Sequence, residues 1–105
     1  MISIICGTNR GQSVSKKIAL YYQNLLKEAG ANSYILDLKE LPEDFMNVAL
    51  YDNAGKSEAF NTLKKKLNES HKMVFIVPEY NGSFPGVLKT FIDALDYPHS
   101  LKNKK

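Results

Sequence analysis

Residues 73–95 contain the sequence feature that most constrains the fold. The uninterrupted apolar run at residues 73–77 predicts a strand that is buried on both faces, as in a parallel sheet. A turn rich in Pro, Asn and Gly follows, and residues 88–95 then carry apolar side chains at helical spacing. A buried strand that turns sharply into a helix is typical of open α/β sheets. Such sheets bind their ligands at the loops that follow the carboxyl ends of the strands.

The same order of strand and helix runs through the whole chain. Runs of β-branched and apolar residues predict strands, and apolar residues three or four apart predict helices. Gly30 follows the first predicted helix, as expected of a helix stop signal. Residues 38–55 form a long connection of ambiguous structure. The predicted elements are strands at residues 2–6, 34–37 and 73–77 and helices at residues 13–29, 60–67 and 88–95.

This alternation predicts one α/β domain over residues 1–105, a doubly wound parallel sheet with helices on both faces. Each crossover connection is expected to be right-handed. If the chain reverses its direction across the sheet after the second strand, the strand order is 2-1-3. The loops after strands 1 and 3 then flank one crevice, which is where a ligand site is predicted.

Composition narrows the class of protein. With 44% hydrophobic and 24% charged residues, the chain is predicted to be globular. No apolar stretch approaches the ~20 residues of a membrane helix, and residue 1 leads directly into a strand, so we expect neither a membrane partner nor a signal peptide. Much of the net charge of +3 lies in C-terminal lysines, so we expect no nucleic-acid partner. The single cysteine, Cys6, fits a reducing cytoplasm, and His71 and His99 lack metal-ligand spacing, so no metal site is predicted.

The first loop, residues 7–15, has the chemistry of a phosphate site. Thr8, Ser13 and Ser15 offer hydroxyl groups, and Arg10 offers a bidentate fork. The loop ends at a helix N-terminus, whose partial positive charge favours an anion. The alternative interpretation is ordinary helix capping by a serine, with Arg10 in solvent. Because the loop is neither G-x-G-x-x-G nor a Walker sequence, Asp37 after strand 2 is not predicted to bind a ribose.

The second loop is predicted to face a flat polar ring. Its backbone amides are able to bond the edge of a heteroaromatic ring, and Tyr80 is able to pack on the ring. Glu79 has no neighbouring carboxylate or histidine in sequence, so it is not predicted to be a general acid. The alternative is a simple turn made by Pro, Asn and Gly. The six residues of this predicted ring site are Pro78, Glu79, Tyr80, Asn81, Gly82 and Ser83.

A phosphate at one end and a flat polar ring at the other describe FMN, and both loops resemble the NADPH-dependent FMN reductase family. The similarity lies in G-T-N-R-x-x-S-x-S at residues 7–15 and P-E-Y-N-G-S-F-P-G-V-L-K at residues 78–89. It implies a flavodoxin-like fold, hydride transfer from NADPH or NADH to FMN, and a cytoplasmic homo-oligomer without a catalytic side chain. It also implies that the FMN phosphate is held by Thr8, Arg10, Ser13 and Ser15, and that residues 78–83 line the isoalloxazine.

The length of the chain predicts that only part of the domain is present, and two other functions stay open. Three strand–helix units of ~30 residues account for 105 residues, whereas a five-stranded domain needs ~150. We therefore expect only the N-terminal portion of the flavodoxin-like domain, with the remaining strands missing. Strand 3 would then be an exposed edge that pairs with another chain or with further residues. The alternatives are a flavin-binding electron carrier without reductase activity and an inactive fragment that only associates with other chains.

Overall fold

A computed structural model describes all of residues 1–105. It confirms three strands and the three long helices at nearly the predicted positions, while the connection at residues 38–55 contains one short helix and two 3-10 turns. No helix combines the length and the apolar character that a membrane crossing requires. The elements are β1 (Ile2–Cys6), α1 (Val14–Glu28), β2 (Ser33–Asp37), α2 (Phe45–Val48), α3 (Glu58–Asn68), β3 (Lys72–Ile76) and α4 (Gly86–Asp93), with 3-10 turns at Leu38–Glu40 and Tyr51–Asn53.

The three strands form one parallel sheet in the order β2-β1-β3, as predicted. In the register of the sheet, Ile5 lies beside Leu36 on one side and Phe75 on the other. β1 is central, and its residues from Ser3 to Cys6 are buried. The loops after β1 and β3 therefore start from neighbouring strands at the same edge of the sheet.

The two faces of the sheet are covered unequally. The larger core packs α3 and α4 onto one face, and Phe60 is central to it, 4.9 Å from the ring of Phe45 and 6.1 Å from that of Phe91. On the opposite face, a small cluster joins Ile4 and Cys6 of β1 to Ala19 of α1. One helix alone covers this second face.

Helix α1 carries apolar residues on the side that faces the sheet and also on one adjacent flank. Its sheet-facing side places Ser15, Ala19, Tyr22 and Leu26 toward β1. Lys16 and Gln23, one position further along the chain, contact β2: Lys16 pairs with Asp37 at 3.0 Å and Gln23 donates to the Ser33 carbonyl at 3.4 Å. The opposite flank therefore points toward β3, and it exposes four apolar side chains. This apolar flank consists of Val14, Ile18, Tyr21 and Leu25.

β3 forms an edge of the sheet, as predicted. At its start the edge is partly paired, because the Met73 N–H donates to the Lys105 carbonyl at 2.8 Å and the Lys105 N–H donates to the His71 carbonyl at 3.2 Å. Alternation along the strand turns the backbone groups of Phe75 to the same side, where they have no partner. The Phe75 side chain is 38% exposed. The second half of this edge is thus open.

Candidate functional site

The first loop is held against β3 where it leaves β1. The Gly7 N–H donates to the Ile76 carbonyl at 2.9 Å. A Cβ at Gly7 would lie only 3.0 Å from that carbonyl oxygen and 3.4 Å from the Leu88 side chain, so this close approach favours glycine. The loop ends at Ser13, whose side chain caps α1 by accepting the Lys16 N–H at 3.1 Å.

Several donors of the first loop have no partner within the protein. The backbone N–H groups of residues 11–15 find no acceptor, because some belong to the loop and the others to the first turn of α1, where a helix leaves its N–H groups unpaired. The Ser15 hydroxyl makes no hydrogen bond, and Arg10 is exposed and has no ion-pair partner. These donors, together with the N-terminus of α1, create an electropositive concavity that suits an anion.

Thr8 connects the two loops through its side chain. It is buried, and its Oγ1 lies 2.8 Å from the Tyr80 hydroxyl and accepts the Arg10 N–H at 3.2 Å. The hydroxyl of Thr8 is therefore engaged with protein groups. The contact fixes Tyr80, and with it the start of the second loop, against the first loop.

The second loop is a tight two-residue turn. Tyr80 and Ser83 exchange backbone hydrogen bonds of 2.8 and 3.1 Å, and Asn81 and Gly82 both have positive φ, at 53° and 78°. This is the geometry of a type I′ turn, for which Asn-Gly is the preferred sequence. The Glu79 carboxylate accepts the Gly82 N–H at 2.6 Å and so braces the turn.

One cleft of about 350 Å³ brings the two loops together. It contains five of the ten predicted site residues, while Thr8 lies beneath it and Glu79, Asn81, Gly82 and Ser83 form the adjacent turn. The N–H groups of Glu79 and Asn81 have no protein acceptor, so they are the donors of this turn that remain free. The residues lining the cleft are Arg10, Gly11, Gln12, Ser13, Val14, Ser15, Pro78 and Tyr80.

Asp37 and Cys6 lie close to this site without opening into the cleft. Asp37 pairs with Lys16 at 3.0 Å and accepts the Lys39 backbone N–H at 3.0 Å, so its carboxylate is engaged by protein groups. Burial, and secondarily the charge of Asp37, raises the pKa of the Cys6 thiol, while the Ser13 hydroxyl and Lys16 oppose the shift. Cys6 is a protonated core residue.

Three residues of the cleft lining, Gly11, Gln12 and Val14, and one neighbour lie outside the ten predicted site residues. Gln12 and Val14 line the cleft, and Gln12 has a positive φ of 50°. A non-glycine residue in that conformation gives no sequence signal. Lys39 brings its Nζ within 3.4 Å of the position that a Cβ on Gly11 would take. It comes from the connection after β2, whose structure the sequence left ambiguous.

The whole chain matches one protein family. The family model, described as NADPH-dependent FMN reductase, matches residues 1–105. The chain belongs to this family. The resemblance seen in the two loops is confirmed.

Curated relatives are similar over nearly all of this chain. It is 28% identical over 102 residues to a quinone reductase of Pseudomonas putida, covering 93% of this chain and 50% of that protein. It is 32% identical over 94 residues to an FMN-dependent NADPH-azoreductase of Staphylococcus saprophyticus, covering 88% of this chain and 50% of that protein. The chain thus spans about half the length of these relatives.

Solved structures confirm the flavodoxin-like fold. The apo form of an NADH:FMN oxidoreductase superimposes with a TM-score of 0.78 at 21% identity, covering 98% of this chain and 53% of that one. FerB, a flavoenzyme NAD(P)H:(acceptor) oxidoreductase of Paracoccus denitrificans, superimposes with a TM-score of 0.76 at 29% identity, covering 98% of this chain and 56% of that one. The predicted order 2-1-3 is the part of this fold that the chain contains.

Proposed function

We propose that this chain is the flavin-binding part of an oxidoreductase that transfers a hydride from NADPH or NADH to bound FMN. One observation carries the proposal: unpaired donors and Arg10 line one side of a cleft, and Pro78 and Tyr80 line the other. A ligand with an anion next to a flat polar ring fits such a cleft. Family membership supports the same activity, as do relatives whose names include FMN and NADPH.

The donor set fits the phosphate of FMN. The free N–H groups of residues 11–15, the Ser15 hydroxyl and the Arg10 guanidinium are all available to a dianion. Ser13 lines the same cleft while its Oγ caps α1. Charge-assisted hydrogen bonds of this kind are about twice as strong as neutral ones. Thr8 would act through Tyr80, because its hydroxyl is already bonded to that side chain.

The second loop would hold the isoalloxazine through its backbone. The free N–H groups of Glu79 and Asn81 are suited to the polar edge of the ring, and Pro78 and Tyr80 would pack beside it. FMN held in this cleft would supply the hydride-accepting chemistry, and the residues of the two loops would bind and orient it. The Glu79 carboxylate is engaged by the Gly82 N–H, and no proton transfer is assigned to it.

The absorption spectrum of the purified chain tests this function. After incubation with FMN and removal of excess ligand, we expect yellow protein that bleaches when NADPH is added under anaerobic conditions. Yellow protein that NADPH does not bleach would indicate an electron carrier instead. Colourless protein would refute flavin binding by this chain and favour the fragment that only associates. Arg10→Ala, a change in the cleft, should retain less FMN, whereas Lys17→Ala, a change at an exposed residue of α1 outside the cleft, should retain as much as the wild type.

We also propose that the chain works as a homo-oligomer in the cytoplasm. The apolar flank of α1 and the open part of the β3 edge support association, because exposed strand edges readily pair with other chains. The buried free thiol of Cys6 fits a reducing compartment.

A further inference from the structure

Lys39 lies against the first loop, although it comes from the segment after β2. Its Nζ is 3.4 Å and its Cε 3.7 Å from the position that a Cβ on Gly11 would take. Because a Cβ is one bond away from its Cα, the ammonium group lies within about 5 Å of the Gly11 Cα. Gly11 lines the cleft between the two loops, and its N–H has no acceptor. A positive charge therefore lies beside a free donor of the cleft.

The fold fixes the backbone of Lys39 in this place. The Asp37 carboxylate accepts the Lys39 N–H at 3.0 Å and pairs with Lys16 of α1 at 3.0 Å. Leu38, between Asp37 and Lys39, is buried. These contacts tie the segment after β2 to the first turn of α1, so the lysine is held beside the loop from which that helix starts.

The charge of Lys39 is not neutralised within the protein. No carboxylate lies within ion-pair distance of its Nζ. Glu40 and Glu43 are close in sequence and exposed, and Glu43 lines the same neighbouring cavity of about 480 Å³ as Lys39. Two unpaired cations thus flank the first loop, Arg10 on the side of the cleft and Lys39 on the side of this cavity.

The charge of a phosphate monoester calls for more than one cation. Such a group carries about −1.5 to −2 charges at pH 7. The N-terminus of α1 supplies the equivalent of about half a positive charge, and Arg10 supplies one. Part of the negative charge is then left for a second cation. Because coulombic attraction falls only with the inverse of distance, that cation is effective without touching the phosphate.

We propose that Lys39 is the second cation of the phosphate subsite. Its ammonium group, held beside Gly11, stabilises the dianion through the loop without a direct hydrogen bond and so strengthens the preference for FMN over riboflavin. Lys39 is thus a positioning residue that acts through the first loop, and it lies outside the ten site residues predicted from the two loops. The inference rests on the proposed function, since the dianion is the phosphate of FMN.

Fluorescence titration with FMN and with riboflavin at low salt tests this role. We expect Lys39→Gln to bind FMN about fivefold more weakly than the wild type, the effect of one charge several ångström from a dianion in a partly hydrated site. Riboflavin, which lacks the phosphate, should bind both proteins equally. Lys39→Arg keeps the charge and should bind FMN like the wild type. Unchanged FMN affinity in Lys39→Gln, or an equal loss for both flavins, would overturn the proposal.

Two matched variants separate charge from packing. Lys65→Gln removes the same charge from an exposed lysine in the last turn of α3, which leads into the start of β3 at the end of the sheet opposite to the cleft, so FMN affinity should not change. Glu43→Gln alters the cavity that Lys39 lines while removing a negative charge, so it should bind FMN at least as tightly as the wild type. A loss in Glu43→Gln equal to that in Lys39→Gln would show that packing around the cavity matters and that the charge of Lys39 does not.

Salt dependence gives a further check of the mechanism. At about 1 M salt the Debye length is about 3 Å, which is shorter than the path from Lys39 through the loop to the cleft. The difference in FMN affinity between the wild type and Lys39→Gln should therefore disappear. A difference that persists at this salt concentration would contradict an effect of charge through the loop.

Inorganic phosphate distinguishes failure of this inference from failure of the proposed function. In thermal unfolding of the FMN-free chain, phosphate should raise the Tm of the wild type more than that of Lys39→Gln, each compared with sodium chloride at equal ionic strength. If FMN does not bind but phosphate gives this difference, the proposed function is wrong and the anion subsite with Lys39 stands. If FMN binds the wild type and Lys39→Gln equally, the proposed function stands and this inference is wrong. If FMN does not bind and phosphate acts equally on both proteins, both are wrong.

Discussion

The contact between Thr8 and Tyr80 yields a quantitative prediction, because one hydrogen bond joins the two loops across 72 positions of sequence. In Thr8→Val a methyl group of similar size replaces the hydroxyl. The Arg10 N–H that it accepted is on an exposed residue and finds water, whereas the half-buried Tyr80 hydroxyl loses its partner. A net hydrogen bond is worth ~0.5–1.5 kcal/mol, and an unsatisfied buried group costs ~1–3 kcal/mol. We therefore expect the free energy of unfolding to fall by ~1–2 kcal/mol.

Thermal unfolding followed by circular dichroism measures this loss. For a domain of this size, ~1–2 kcal/mol lowers the Tm by about 5–15 °C. Tyr80→Phe removes the same bond from its other end, so the double variant should be little less stable than either single variant. The expected coupling energy is ~0.5–1.5 kcal/mol. Thr8→Ser keeps the hydroxyl and therefore the bond, so its effect on stability should simply add to that of Tyr80→Phe.

FMN affinity gives the functional consequence of the same perturbation. Thr8 is not expected to touch the phosphate, yet the valine variant should bind FMN more weakly because the cleft wall formed by Tyr80 is no longer fixed. If the effects of Thr8→Val and Tyr80→Phe on stability simply add, the two hydroxyls do not interact and this account of the cleft is wrong.

Four further predictions concern the site, the core and the sheet edge. Arg10→Ala should weaken FMN binding at least tenfold in a fluorescence titration and leave the weaker binding of riboflavin, which lacks the phosphate, nearly unchanged. Equal losses for both ligands would show that Arg10 does not contact the phosphate. Glu79→Gln should keep hydride transfer, because an amide oxygen still accepts the Gly82 N–H; a severe loss of turnover with FMN bound normally would reveal side-chain catalysis. Gly82→Val should lower stability and FMN affinity, because valine is strained at a φ of 78°. Cys6 should resist thiol reagents in the folded chain at pH 8, since burial raises its pKa, and rapid labelling under native conditions would contradict this. The stability contributed by the neutral thiol should be present below the pKa of the unfolded chain and lost as the pH rises through the pKa of the folded chain. Sedimentation at micromolar concentration should show an associated species, and Phe75→Lys at the open edge should dissociate it. A stable monomer of the wild type with cooperative unfolding would show that three strands suffice for a folded domain.

The strands and the location of the two loops were predictable because they depend on local patterns, whereas the order 2-1-3 depended on a reversal of direction after the second strand that no local pattern specifies. β-branched runs specify the strands, and Gly, Pro and Asn specify where each strand ends. The type I′ turn at residues 80–83 follows from Asn-Gly alone. The bond between Thr8 and Tyr80 was not predictable, since no local pattern records a contact between residues so far apart in sequence.

Residue type alone does not show which lysines are in solvent. Lys64 belongs to a run of three lysines at residues 64–66, but it lies four residues after Phe60 and three before Leu67, on the side of α3 that faces the core. Its side chain is only 12% exposed, pairs with Asp96 at 2.7 Å and lies 5.9 Å from the centre of the Phe60 ring. A long side chain covers apolar surface with its stem while its charge reaches a partner, so the identity of a residue does not fix its burial.

Helix α1 shows how a periodic pattern leaves the orientation of a helix open. The helix has two adjacent apolar stripes, about 100° apart around its axis. One stripe contains Ala19 and Leu26, and the other contains Ile18 and Leu25. The sheet buries only the first stripe, because the second points past β3. The unpaired backbone groups of Phe75 lie on that same side of the molecule. One additional strand–helix unit, from whatever chain, would satisfy both the sheet edge and the second stripe, so the two exposed features have a common physical cause.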